Sequence, residues 1–346
     1  DKLEICLAME ADRMSNLVLA EDDFIKEVEV VKEERRLRTD DKPTALTFER
    51  FNAAAYVNSP YRRPIIGWME DLDSMSIDDL RSWYRSWYAP NNATLVIVGD
   101  VVADEVFQLA KKYFGPLSPA SIPVMKPRNE VEQLGPQRIT VQLPAKIPTV
   151  IMGYKVPVLK TATEKWEVYA LEVLSGLLDG GDSARLTRNL VRGKQLVTSV
   201  GASYNPYAMH QSLFVFSAIP AGDNTTDVLE LAIKEEIRAI QENLPDQKEL
   251  DRVIAQVVAA SIYEQDSSFY QAMQIGILET VGLGWQTKEE YVDQVKAVTA
   301  EQVQQVANKY LIAKNLTVAV LDPLPIEQKA TSAFSGKAAM GGRHGQ

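Results

Sequence analysis

Two acids in one short stretch, "FIKEVEVVKEERRLR" at residues 24–38, stand where a helix should be apolar. At ~100° per residue, Val28, Val30, Val31 and Leu37 define one arc of the helix, and Glu27 and Glu34 fall in the middle of it. Glu29, Lys32, Glu33 and Arg36 lie on the opposite, polar side. Seven residues is close to two helical turns, so the two carboxylates share a face and are expected to be buried there. A pair of stacked carboxylates can hold a cation. It can equally be satisfied by arginines, and Arg35, Arg36 and Arg38 follow directly. Spacing alone leaves both open and favours the arginine partners.

The remaining chemistry-bearing residues are few. His210, in "NPYAMHQSLFVF", reads as a loop or edge histidine, and His344 lies in the tail. Cys6 sits beside Leu3 and Leu7 without a histidine partner, so a small buried side chain is expected rather than a nucleophile. Trp83, Tyr84, Trp87 and Tyr88 recur at helical spacing, which predicts core packing with a partly exposed tyrosine.

The elements that position these residues repeat. "SIDDLRSWYRSWYAPNNATLVIVGD" (76–100) matches "TAEQVQQVANKYLIAKNLTVAVLD" (299–322) without a gap, 223 positions on. Each copy opens on an N-cap hydroxyl, Ser76 or Thr299, and continues as an amphipathic helix. Leu80 corresponds to Val303, Trp83 to Val306 and Trp87 to Tyr310, before an Asn turn leads into a strand. The shared register indicates duplication. Between the copies, "PLSPASIPVMKPRNEVEQLGP" is proline-rich and aperiodic, as a linker is. Helical and strand-like runs mix, with no G-x-G-x-x-G or P-loop. The expected class is α+β, with two homologous domains, each a largely antiparallel sheet carrying helices on one face. The domains span residues 1–117 and 137–325, with the linker at 118–136 and a Gly/Ala-rich disordered tail at 326–346.

Composition narrows the function. With 346 residues and a net charge of −10, the chain offers no basic stripe for nucleic acid. One cysteine excludes an internal disulfide, and no apolar run is long enough for a membrane span.

"ADRMSNLVL", "FIKEVEVVKEERRLRTDDKP", "SPYRRPIIGWMEDLDSMSIDDLRSWYRSWYAPNNATLVIVGDV" and "DSARLTRNLVRGKQLVTSV" resemble the small bacterial M16 peptidases. That family includes insulysin, pitrilysin and the mitochondrial processing peptidases, and the resemblance covers residues 1–325. It implies two homologous domains facing a second pair across a closed chamber, and zinc-dependent cleavage of peptides or unfolded polypeptides inside. The family's inverted motif H-x-x-E-H supplies two zinc-binding histidines and a general base, and an E-x6-E element follows about seventy residues later. The resemblance implies that Glu34 is the zinc ligand and that Glu27, one shell out, orients a zinc-bound histidine. Glu33 is the rival by register, but points to the polar side.

Two departures shape the expectation. H-x-x-E-H does not occur, so the chain holds one zinc ligand of three and no peptidase activity is expected of it alone. Because it opens inside an amphipathic helix, it is expected to be a piece of a longer product that carries the motif about forty residues before Asp1. Second, Val191 and Thr198 stand where substrate-gripping members carry Arg and Tyr, with Arg192 one position off. This implies a heterodimer whose M16-like partner supplies the Arg–Tyr pair. Val257 or Ala260 occupies the metal position of the second domain, so Zn2+ is expected in the first domain only. The alternatives are a non-proteolytic scaffold or chaperone subunit and a peptide-binding module. The family analogy favours the bacterial periplasm.

Overall fold

The run "TVIMGYKV" reads as a strand of a sheet with helices on one face. A computed structural model describes residues 2–326: the strand is there, but every one of its positions is buried, as in a sheet covered on both faces. In chain order come α1 (Leu3–Asn16), α2 (Glu21–Arg35), α3 (Pro43–Ala55), α4 (Met69–Ser74), α5 (Ile77–Trp87) and α6 (Ala103–Phe114). Then follow β1 (Gln137–Pro144), β2 (Thr149–Val156), α7 (Lys165–Asp179), β3 (Val197–Ser203) and β4 (Ser212–Pro220). The chain closes with α8 (Thr226–Glu242), α9 (Gln247–Tyr263), α10 (Ser268–Val281), α11 (Thr287–Lys296), α12 (Ala300–Tyr310) and β5 (Leu316–Leu324). The α+β class holds. Of the tail, only Ile326 lies within the described residues.

The five strands form one sheet in the order β1-β5-β2-β4-β3. Its pairings are antiparallel except β1 with β5. Alternation at period two separates the faces. Val150, Met152 and Tyr154 of β2 join Phe214 and Phe216 of β4 in the main core, against α7, α8 and α12. Ile151, Leu213 and Ala319 point the other way, where α3 lays Phe51 and Ala55 across them. Gly153 makes that approach possible: a Cβ there would stand 2.5 Å from the Phe51 ring. The second face is therefore covered too, by a helix from the first half of the chain.

The proline-rich stretch is irregular, as expected, but it is anchored. The Glu130 side chain is fully inaccessible and pairs with Lys155 of β2 at 2.7 Å. It also accepts from the backbone N–H groups of Val57 (3.0 Å), Asn58 (3.1 Å) and Ser59 (2.8 Å). Burial pushes this carboxyl up, but the Lys155 ammonium and the three N–H donors outweigh it and hold it below the ordinary range.

The first copy of the repeat departs from expectation. Residues 93–98 run without joining any ladder among the described residues. In the second copy β5 sits between β1 and β2. Trp83, expected in a core, is 56% exposed.

Candidate functional site

α2 begins with three acids, Glu21, Asp22 and Asp23, and ends with Lys32 and Arg35, which complements its dipole at both ends. Glu27 and Glu34 lie on one face, as the spacing requires, but that face is open. Glu27 is exposed, and the Glu34 side chain is 40% exposed. Val30 and Leu37 are each 57% exposed, and Arg35 is the buried residue of the helix. The expectation of two buried acids is thus corrected. An apolar arc marks what can be covered, and here Val28 and Val31 are only half-buried while Val30 and Leu37 stand largely in water.

Two adjoining grooves receive the acids. Glu27 lines one with Phe24, Val28, Val31 and Leu80. Glu34 lines the other with Arg38, Phe48, Asn52 and Tyr61. Ile65 and Ile66 border both and form the ridge between them. Glu34 pairs with Arg38 at 3.0 Å, an exposed i,i+4 pair of the kind that contributes ~0.3–0.5 kcal/mol. Such a pair is readily exchanged for a stronger partner. Glu33 pairs with Arg36 on the polar side. Glu27 has no ion pair or hydrogen bond among the described residues.

What fixes this helix was not foreseen. Arg35 turns inward and grips Glu49 of α3 with both ends of its fork, Nη1 to Oε2 at 2.8 Å and Nη2 to Oε1 at 3.1 Å. Nη1 also donates to the Gly67 carbonyl at 2.7 Å, and Asp40 stands 3.2 Å from Nη2. The guanidinium lies 5.9 Å from the Trp68 ring centroid, and only its Nε lacks a partner. The Glu49 hydrogen bonds raise the Arg35 pKa further. A buried bidentate pair sets geometry more than net stability. Here it locks the residue directly after Glu34.

A zinc ion takes four ligands, three or four of them from protein. Among the described residues no three His, Cys, Asp or Glu side chains cluster for a metal. Glu34 supplies one donor, so the chain by itself does not make a zinc site, and no catalytic step is derived through one. His210 packs edge-on against Tyr61, ring centroids 5.5 Å apart, in a loop as expected. His344 lies outside the described residues. Cys6 is exposed, contrary to expectation, because α1 buries Leu7 and Ala11 instead.

In the second half, Val191 packs against the main core. Thr198 is exposed at a break in the β3–β4 register and reaches the Ile219 carbonyl at 3.4 Å. Arg192 is tied to Asp182 at 2.9 Å on the surface. Val257 and Ala260 both line a cavity beside Glu172, an acid with one carboxylate oxygen sealed from solvent that sequence reasoning passed over. Its only signal was a charge inside the apolar run "VYALEVLSGLL".

Comparison with known proteins places this geometry. Residues 74–257 match the family described as Peptidase M16 inactive domain. Zinc protease PqqE of Helicobacter pylori is 36% identical over 276 residues, 77% of this chain and 60% of that protein. The chain thus spans less than two thirds of that relative's length. An uncharacterised zinc protease of Mycobacterium leprae is 28% identical over 93% of this chain and 71% of its own. Among solved structures, a protease from Helicobacter pylori superposes with a TM-score of 0.87 at 30% identity, covering 93% of this chain and 77% of that one. An M16 inactive domain from Pseudomonas fluorescens, at TM-score 0.80 and 19% identity over 94% and 77% of the two chains, shares the fold. The chain belongs to the M16 peptidase family, and its relatives are named zinc proteases.

Proposed function

We propose that this chain supplies the carboxylate half of a zinc-dependent endopeptidase, with Glu34 as metal ligand and Glu27 orienting a histidine ligand through its free ring nitrogen. The observation that carries this is the construction of α2. Two carboxylates share one open face, the nearer one only weakly paired, on a helix end pinned by the buried Arg35–Glu49 fork. A ligating carboxylate needs that combination of a fixed backbone and an exchangeable partner. When bound, zinc supplies a Lewis acid and a water of lowered pKa. The histidines and the general base come, in this reading, from an H-x-x-E-H segment outside this sequence.

The proposed substrates are peptides or unfolded polypeptides, enclosed with a second M16-like chain that carries the Arg–Tyr pair, in the bacterial periplasm. Val191 and Thr198 support the need for such a partner. One is spent on the core and the other offers a hydroxyl to a carbonyl, so neither presents a charge or a phenol to substrate.

The test is cleavage of a fluorogenic peptide by the complete product of the open reading frame together with its partner. Chelator-sensitive cleavage is expected from the assembly, and none from the 346-residue chain alone. Cleavage by the chain alone overturns the reading that it holds only the carboxylate half of the site, and an assembly without activity and without zinc favours the scaffold or peptide-binding alternatives.

A further inference from the structure

α7, α9, α10 and α11 border a cavity of about 420 Å³ in the second half of the chain. Its place in the repeat is informative. The 223-residue offset carries Glu27 to Leu250 and Glu34 to Val257. Leu250 is buried in the core, and Val257 lines the cavity. The second copy has thus replaced the acids of the helix face with apolar residues. It carries its acid on α7 instead, as Glu172.

Glu172 is only half satisfied. Its Oε1 accepts from the Tyr291 hydroxyl at 2.6 Å, while Oε2 is out of contact with solvent and has no partner. Such an oxygen is unfavourable unless something pairs with it. Burial pushes the carboxyl up to about 7, against the Tyr291 hydrogen bond and with help from the charge of Glu264. Three phenol rings, Tyr207, Tyr270 and Tyr291, stand around the same space. Val257, Met273 and Leu278 form an apolar wall. Glu264, the second acid, accepts from Gln274 at 3.1 Å, and Lys288 reaches the lining from α11 without an ion pair to either carboxylate.

The chemistry selects among ligands. Two carboxyls repel an anion. A neutral apolar guest leaves Glu172 Oε2 unpaired. A structural metal needs more donors than two separated carboxyls and phenols provide, and no three-residue donor cluster exists among the described residues. An ammonium group suits every wall but that of Lys288: it pairs with the Glu172 carboxyl, faces the rings, and lays its alkyl stem on the apolar side. We propose that this cavity binds a small organic ammonium ion, with Glu172 as its anionic partner. The site is independent of the proposed zinc chemistry and lies on different elements.

The experiment is a titration of the 346-residue chain with n-butylammonium at pH 7.5, followed by calorimetry and by the shifts of methyl resonances at Met273 and Leu278. Saturable binding is expected. Glu172→Gln should weaken it tenfold or more, and n-butanol should not compete. Should Glu172→Gln fail to fold, Met273→Trp, which fills the cavity from its apolar wall, should abolish binding in a folded chain. A blocked peptide bearing one lysine separates the sources. Competition with butylammonium marks the site as one for chain-borne lysine, and intact amine binding without competition marks it as one for a free amine. Absence of saturable binding, equal binding of butanol, or affinity unchanged by Glu172→Gln and Met273→Trp overturns the proposal.

Discussion

α5 and α12 are the same helix by sequence and different helices by environment. Both start with a complete capping box, Ser76 with Asp79 and Thr299 with Gln302, and both run for eleven residues. The burial of their inward positions diverges. Val303 and Val306 are wholly buried, while Leu80 is half-buried and Trp83 is 56% exposed. The segment after α12 becomes a central strand, and the segment after α5 joins no ladder among the described residues. α2 and α9 repeat the contrast, with Val30 exposed where Val253 is buried. Local signals decide that a helix forms and where it starts. A sheet decides which of its side chains leave water.

The sharpest way to break that comparison is a matched pair of substitutions. Val306→Asp places a charge in a dry core and should cost several kcal/mol, ~3–5, or prevent folding. Trp83→Asp should stay within ~1 kcal/mol by urea unfolding, because that side chain is already largely in water. Equal losses contradict the assignment of the two environments.

Next in size is the device that fixes the open face of α2. Arg35→Ala leaves Glu49 buried without its partner, which should cost ~3–5 kcal/mol. Arg38→Ala, which frees Glu34 from an exposed pair, should change thermal stability by less than ~0.5 kcal/mol. A comparable loss from both means that the Arg35 fork is not what holds the helix end.

Glu172 gives a pH-dependent version of the same contrast between a dry and a wet carboxylate. Its folded pKa, about 7, is above the unfolded value, so the folded state keeps the proton longer. Its contribution is therefore intact in acid and declines as pH rises from the ordinary carboxylate range to about 7. The loss is up to about 3 kcal/mol and then levels off. Glu172→Gln should flatten this trend, so urea midpoints at pH 5 and pH 8 should converge in the variant. Identical pH profiles in the two proteins contradict the burial of this group.

The smallest effect tests what the two copies share. Ser76→Ala and Thr299→Ala should each cost ~1 kcal/mol, similar in both copies because a cap acts locally. A much larger loss at Thr299 alone means the cap is coupled to the sheet.

These contrasts explain how far the sequence could be read. The paired helices α5 and α12 with their Ser76 and Thr299 caps, the helix at residues 24–38, the strand after α12 and the irregular linker all follow from signals confined to a few neighbouring residues. The Glu27 and Glu34 register also follows, because seven residues on a helix return to the same face. Their burial does not, since it depends on what lies across that face. Cys6 and Trp83 fail for the same reason. Glu130 was invisible because two acids in the aperiodic "RNEVEQ" do not show which is buried, although the lone Lys155 in an apolar strand is a signal that some buried partner exists. The docking of α3 on the second face of the sheet was not legible either. Phe51 and Ala55 mark an apolar stripe but not its target.

The central claim is that Glu34, rather than its neighbour, faces a metal. It is tested most directly by zinc stoichiometry in the complete gene product, measured by mass spectrometry after exhaustive dialysis. The wild-type protein and Glu33→Gln should retain close to one zinc per molecule, and Glu34→Gln should lose most of it. Full zinc in Glu34→Gln, or equal loss in both variants, contradicts the claim.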